Sequence, residues 1–280
     1  KILLLLNQKI FEIGRSAYFR YPQFQPLIEF MYRKFFLKPK FSGWGMTTEH
    51  ELPWKDLDEK NIFLKASIDI KNFEFTKKTA GINKKNIDTL LWRHWIIYSS
   101  AKYAIEFSNS PKFNFVECGV GDGISAFFAL VEIATNKKSM SNFSMHLYDS
   151  WDEMRERELI ESEKNLIGKY SNLNIEITKK NLDKFSENVI YHQGYIPDSF
   201  ETTKNSPELI NYLHIDLNSS LPTIKTLEYF FPRLERGGVI IFDDYGWSGY
   251  SDTKKTVDGF FNERPGIFMK LPTGQAVYYR

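Results

Sequence analysis

Three aspartates stand where two apolar runs end: Leu213-His214-Ile215-Asp216 and Ile240-Ile241-Phe242-Asp243-Asp244. Acids that follow short apolar runs read as residues leaving the carboxyl ends of parallel strands, where open α/β sheets bind their ligands. Carboxylates crowded there repel one another unless a cation sits among them or a proton is shared. Oxygen donors alone suit a hard cation such as Mg²⁺. Such an ion lowers the pKa of a bound hydroxyl and fixes its position, which turns a poor nucleophile into a usable one. The set is therefore read as metal ligands. The other reading is that Asp243 and Asp244 cap the helix that follows.

A second group is Glu117-Cys118-Gly119-Val120-Gly121-Asp122-Gly123, again after an apolar run. Glycines at 119, 121 and 123 permit a tight turn and close approach of a ligand to the backbone. A dinucleotide turn, G-x-G-x-x-G, would need a third glycine at 124, where Ile124 stands. The spacing thus favours S-adenosylmethionine over NAD, although such turns also serve as plain connections. Asp149 and Ser150 end the next apolar run, and an acid there can accept both hydroxyls of a ribose. Asp149 also reads as a helix cap. Gln193 and Gly194 follow a third run, where Gln193 would meet an adenine edge or Gly194 would make a simple turn.

Positioning these groups requires alternating strands and helices, hence a parallel sheet in a doubly wound α/β fold. The expected strands are Phe113–Glu117, Phe143–Asp149, Asn188–His192, Tyr212–Asp216, Val239–Asp243, Ile267–Leu271 and Ala276–Tyr279. Helices are expected over Ile124–Thr135, Leu221–Phe231 and Thr253–Asn262. A longer one runs over Asn86–Asn109, with Asn86 as N-cap and Pro111 as stop. Residues 151–186 read as an inserted helix pair or a mobile loop. Residues 1–85 read as an N-terminal helical and lid extension, with two helices within 1–37 and a Gly/Pro/Trp-rich lid over 38–58. Residues 86–280 read as the catalytic domain.

Composition narrows the function. With 37 basic and 35 acidic residues the net charge is +2, so no basic field is available for a nucleic-acid partner. The single Cys118 excludes an intrachain disulfide and fits a reducing, cytoplasmic setting. The opening KILLLLNQKIF reads as a helix start rather than a signal peptide, and no run of about 20 apolar residues spans a membrane. His50, His94, His146, His192 and His214 show no zinc spacing, and neither a P-loop nor a nucleophile elbow occurs.

The runs FVECGVGDG, LHIDLNSSLPTIKTLEYFFPRLERGGVIIFDDYGWSGY and LPTGQAVYY resemble class I S-adenosylmethionine-dependent methyltransferases of the macrocin O-methyltransferase type. The resemblance covers roughly residues 90–280, and the block from Arg233 to Tyr245 is its most specific part. It implies a seven-stranded, mostly parallel sheet (a Rossmann-like fold) whose last strand is antiparallel. The cofactor would lie over Glu117–Gly123 and Asp149, with Mg²⁺ held by Asp216, Asp243 and Asp244. The acceptor would be a hydroxyl on a sugar or small natural product, or on a surface glycan. The family often carries a second acid two places after the first. Here that place is Asn218, an amide that cannot accept a proton, so Asp216 becomes the candidate base. Trp44, Met46, Thr47 and Arg93 are candidate lid residues, with core packing as the other role for Trp44 and Met46. The competing readings are a nucleotide-sugar or NAD enzyme on the same layered fold, and a non-catalytic S-adenosylmethionine-binding protein. Homo-oligomerisation is left open.

Overall fold

A computed structural model describes Leu27 and residues 52–54, 61–76, 87–247 and 249–280. Apart from Leu27 and residues 52–54, the expectations for residues 1–37 and 38–58, including Trp44, Met46 and Thr47, lie outside the described residues, as does Asn86. Contacts divide the chain into two compact units. Residues 60–76 and 82–280 form one, which therefore takes in a stretch that the sequence division at 86 leaves to the N-terminal extension.

The elements of this unit run α1 (Ile62–Asp69), α2 (Leu91–Phe107), β1 (Phe113–Cys118), α3 (Ile124–Thr135), β2 (Phe143–Asp149), α4 (Ile175–Asn181) and β3 (Val189–Gln193). Then follow α5 (Asp198–Thr202), β4 (Ile210–Ile215), α6 (Ser220–Phe230), β5 (Leu234–Phe242), α7 (Ser251–Phe261), β6 (Ile267–Lys270) and β7 (Ala276–Tyr279). The strands make one seven-stranded sheet in the order β3-β2-β1-β4-β5-β7-β6. β1 to β5 pair in parallel, and β7 inserts antiparallel between β5 and β6. The switch point lies at β1, where the chain leaves toward β2 and β3 on one side and later returns to β4 on the other. That is where a doubly wound sheet opens its ligand crevice.

β1, β2 and β4 are buried along nearly their whole length, as expected of strands covered on both faces. One face packs Val116, Cys118, Leu213, Ile215, Ile240 and Phe242 with Phe230 of α6 and Phe261 of α7. The alternate residues, Phe115, Glu117, Tyr212 and His214 among them, take the opposite parity of a pleated strand. Glu117 and His214 are register partners on that second face. α3 is buried on almost every side, and Phe128 from it packs on Phe63 of α1 at 5.0 Å and on His94 of α2 at 4.6 Å.

Three expectations are corrected. Residues 151–186 are neither a helix pair nor a bare loop. They form short 3-10 turns at Glu156–Glu158, Glu161–Leu166 and Asp183–Phe185 with the single α-helix α4. The turns are held by contacts elsewhere: Glu163 Oε1 accepts from the Ser220 N–H at 2.8 Å, and Ser162 Oγ donates to Asp252 at 2.7 Å. The helix expected over Asn86–Asn109 begins as a 3-10 turn at Ile87–Leu90 and ends at Phe107, before an extended Ser108. β5 starts earlier than expected, because Leu234 pairs with Ile210 across an irregularity in the ladder. Among the described residues no helix is long and apolar enough to cross a membrane.

Candidate active site

The glycine turn follows β1, and each of its glycines answers a different demand. Gly119 has φ +85°, and a Cβ there would sit 2.0 Å from the Asp216 carbonyl oxygen. The reason for this glycine is the contact between β1 and β4, tied by the Asp216 N–H donating to Cys118 O at 2.8 Å. Gly121, at φ +54°, meets nothing within 4 Å and so keeps open the face on which a ligand can lie against the backbone. At Gly123 a Cβ would touch Thr178 and Leu182 of the α4 region at 3.0 and 3.2 Å.

Asp149 ends β2 and locks this turn. Its Oδ2 accepts from the N–H groups of Val120 and Gly121 at 2.7 and 3.0 Å, and its Oδ1 accepts from Trp151 N–H at 2.7 Å. Burial raises its carboxyl pKa, and these backbone bonds oppose that shift. A carboxylate oxygen accepts two bonds, so Oδ1 keeps one position for a ribose hydroxyl. Ser150 lies beside it, in weak reciprocal contact with Asp152 at 3.3 Å. Gln193, at the end of β3, is exposed, and Gly194 donates its N–H to Asp149 O at 2.9 Å. Asp149, Gln193 and Gly194 are thus neighbours at adjacent strand ends. Glu117 is placed differently: strand parity turns it inward, fully buried. There it accepts from Ser125 Oγ at 2.6 Å and lies 3.3 Å from His214 Nδ1.

Several supports have no local signal in the sequence. Thr178 Oγ1 donates to Gly121 O at 2.7 Å and accepts from Trp151 Nε1 at 2.8 Å. Trp151 holds φ 48°, an uncommon left-handed conformation for a bulky residue and a mark of a constrained site. Asp122 accepts from the Thr76 N–H at 2.8 Å, which fastens the turn to residues ahead of the sheet.

The three aspartates converge as expected. Asp216, Asp243 and Asp244 each offer an oxygen within 4.8 Å of the others'. Asp216 is pushed up to about 7 by burial and by the Asp244 carboxylate beside it, and the two carboxyls share a hydrogen bond. Asn218, at φ 57°, donates its amide N–H to Asp216 Oδ1 at 3.3 Å. Asparagine tolerates this left-handed backbone better than most residues. Asp243 accepts from Gln275 Nε2 at 2.7 Å through Oδ1, and His214 Nε2 lies 3.5 Å from the same oxygen. Its Oδ2 accepts from Arg93, whose Nη2 also reaches Asp243 O at 3.0 Å and Asp244 Oδ1 at 3.2 Å. The sequence marks Arg93 as a candidate lid residue. The structure places it on α2, inside the acid cluster. A set of oxygen donors in which burial raises the pKa of both Asp216 and Asp244 fits a divalent hard cation.

Beneath the cluster lies a cavity of about 30 Å³ lined by Arg93, His94, Ser125, Asp216 and Asp243, with Leu90 and Ile97. Among the described residues neither ring nitrogen of His94 has a hydrogen-bond partner, and burial, with the Arg93 charge adding to it, lowers its pKa from 6.5 to about 3. Between those values the unfolded chain holds a proton that the folded chain does not, so stability falls as pH drops below 6.5. Buried His146 and His192, lowered to about 3 and about 4, act in the same direction. His94→Phe is expected to flatten the dependence by up to about 1.4 kcal/mol per pH unit. Urea midpoints measured from neutral to acid pH read this, and an unchanged slope would show that His94 is not the group that takes up the proton.

A glycine turn, a strand-end acid and an acid cluster thus gather around the switch point of a Rossmann-like sheet. Residues 116–245 match a family model described as a methyltransferase domain. By structure the chain is similar to the O-methyltransferase NovP, at 17% identity and TM-score 0.58, covering 68% of this chain and 80% of that one. It is also similar to the calicheamicin methyltransferase CalS11, at 14% identity and TM-score 0.51, covering 85% and 98%. No curated protein matches by sequence. Residues 116–245 thus carry a methyltransferase domain on a Rossmann-like sheet.

Proposed function

We propose that the protein is an O-methyltransferase of the macrocin O-methyltransferase type, acting on a hydroxyl of a sugar or other small molecule with the help of Mg²⁺. The observation that carries this reading is that Asp216, a half-buried acid whose pKa is pushed up to about 7, abuts the glycine turn through the Gly119 contact. A methyl donor lying on Gly121 and Asp149 would therefore present its sulfonium methyl beside a base. NovP and CalS11, both methyltransferases by name and one of them an O-methyltransferase, support the choice of reaction.

In this reading Asp149 and Ser150 hold the ribose, Gln193 and Gly194 border the adenine, and Gly119, Gly121 and Gly123 shape the turn beneath the cofactor. Glu117 supports the site from below through Ser125. Asp216 accepts the acceptor's hydroxyl proton as the oxygen attacks the methyl carbon and the carbon–sulfur bond breaks, its electron pair leaving on the sulfur of S-adenosylhomocysteine. A general base is most effective when its pKa lies near the working pH. Asp216, Asp244 and Asp243 would hold Mg²⁺, which when bound would lower the pKa of the acceptor hydroxyl. The substitution of Asn218 for a second acid leaves Asp216 to take the proton and gives it a hydrogen-bond donor as neighbour.

Calorimetry tests the cofactor. S-adenosylmethionine or its demethylated product is expected to bind at micromolar affinity, about −8 kcal/mol. Binding of NAD with neither methionine nucleoside bound would sink the reading. Methyl transfer screened over sugar nucleotides, glycans and phenols with Mg²⁺ present would identify the acceptor, and excess chelator is expected to stop turnover while cofactor binding persists. Full activity in chelator would remove the ion from the reaction.

A further inference from the structure

Arg93 is the one cation found among the three aspartates in the described residues. Its Nη2 bonds Asp243 Oδ2 and reaches Asp243 O at 3.0 Å and Asp244 Oδ1 at 3.2 Å. It lies outside the span matched by the family model, on helix α2. Its placement is built: Gln275 Nε2 reaches both Arg93 O, at 3.4 Å, and Asp243 Oδ1, at 2.7 Å, so one side chain holds the arginine backbone and the acid together. The guanidinium also stands 5.4 Å from the ring centre of Trp247, and its side chain is only 17% exposed. A partly buried guanidinium so close to two carboxylates strongly offsets their charge.

We propose that Arg93 is a built-in counter-ion that competes with a divalent cation for Asp243 and Asp244. This rests on the reading of the acids as ligands for Mg²⁺. Three ionised carboxylates would carry three negative charges, of which the Arg93 guanidinium, paired with Asp243 and 3.2 Å from Asp244 Oδ1, offsets one. An arriving ion meets a cluster already partly neutralised, and it must displace Nη2 from Asp244 or accept it as a neighbouring like charge. Arg93 thereby sets the affinity for the ion and keeps the acids from flying apart when none is bound. It acts through the aspartates, as a positioning residue rather than a catalytic one.

Mg²⁺ binding by calorimetry, with no acceptor or methyl donor present, tests this directly on the full chain. Arg93→Met is expected to bind Mg²⁺ about tenfold more tightly or better, because the cluster becomes one unit more negative. Arg93→Lys, which keeps the charge, is expected to stay close to the parent. A parallel melting experiment should show Arg93→Met less stable than the parent without the ion and raised further by Mg²⁺ than the parent is, as linkage requires. Should Arg93→Met not fold, Arg93→Gln removes the charge while keeping an N–H donor for Asp243, and it carries the same expectation. Equal or weaker Mg²⁺ binding in the uncharged variants, or like behaviour of the Met and Lys variants, overturns the proposal. Failure of the parent alone to bind Mg²⁺, with binding gained in Arg93→Met, supports it and shows the arginine excluding the ion. Absence of binding in every variant overturns it together with the metal part of the proposed function, whereas S-adenosylmethionine binding would stand untouched.

Discussion

Asp216→Asn is expected to lower turnover by roughly 10²–10⁴-fold, or about 3–5 kcal/mol of transition-state stabilisation, with cofactor affinity unchanged. The amide keeps an oxygen and the shape of the side chain, and it loses the capacity to take a proton. The site makes this loss visible: Asp216 is half-buried, its pKa is raised to about 7, and Asn218 beside it is no substitute base. Asp244 is the nearest alternative acceptor, and Arg93 holds one of its oxygens. Single-turnover rates with saturating methyl donor measure the effect. A Mg²⁺ titration of the same variant separates the two roles assigned to Asp216. Full recovery of turnover at high Mg²⁺ would mean that only affinity for the ion was lost, and would sink the base assignment. For Asn218→Asp the expectation is tighter Mg²⁺ binding or a displaced acidic limb of the pH–rate profile, since a second carboxylate would then adjoin the cluster.

The second large effect is structural. Gly119→Ala places a methyl group 2.0 Å from the Asp216 carbonyl oxygen and 2.6 Å from its carbon, both backbone atoms that no rotamer change can move away. β1 and β4 must separate at the point where Asp216 leaves the sheet, and the left-handed φ of +85° adds about 1–2 kcal/mol for a residue with a Cβ. A loss of about 3 kcal/mol or more is expected, a large part of the usual 5–15 kcal/mol of a folded domain, with activity gone even where the fold survives. Gly121→Ala is the control. It meets nothing within 4 Å, so it carries only the cost of φ +54°, about 1 kcal/mol, and remains folded. Gly121→Val, which projects into the face open to a ligand, is expected to abolish S-adenosylmethionine binding. Urea midpoints and calorimetry on the variants read the contrast. Parent-like stability in Gly119→Ala would overturn the packing account, and undiminished cofactor binding in Gly121→Val would overturn the placement of the ligand.

Much of the scaffold was readable because its signals are local. β2 and β7 match the expected bounds, and so does α3, since short apolar runs between turn residues and a helix start straight after a glycine turn are set by neighbours in the chain. The three glycines, the strand-end acids and their convergence follow from the same logic, because a parallel sheet delivers every strand's carboxyl end to one edge. The stretch 151–186 was not readable in this way. It lacks a helical or strand period, and bonds such as Glu163 to Ser220, 57 residues on, decide its path.

What the sequence determined by itself is where the candidate groups stand: a glycine turn after β1 and carboxylates at the ends of neighbouring strands. What only the tertiary structure decided is the charge state and the support of those groups. Strand parity brought Glu117, fully buried, against Ser125 and His214. Packing brought Arg93 to Asp243 across 150 positions, and Gln275 across 32. The physical reason is that residue type and spacing fix what a group can do and which strand end it occupies. The pKa and charge of a buried cluster depend on every neighbour within a few ångströms, and folding draws those neighbours from anywhere in the chain.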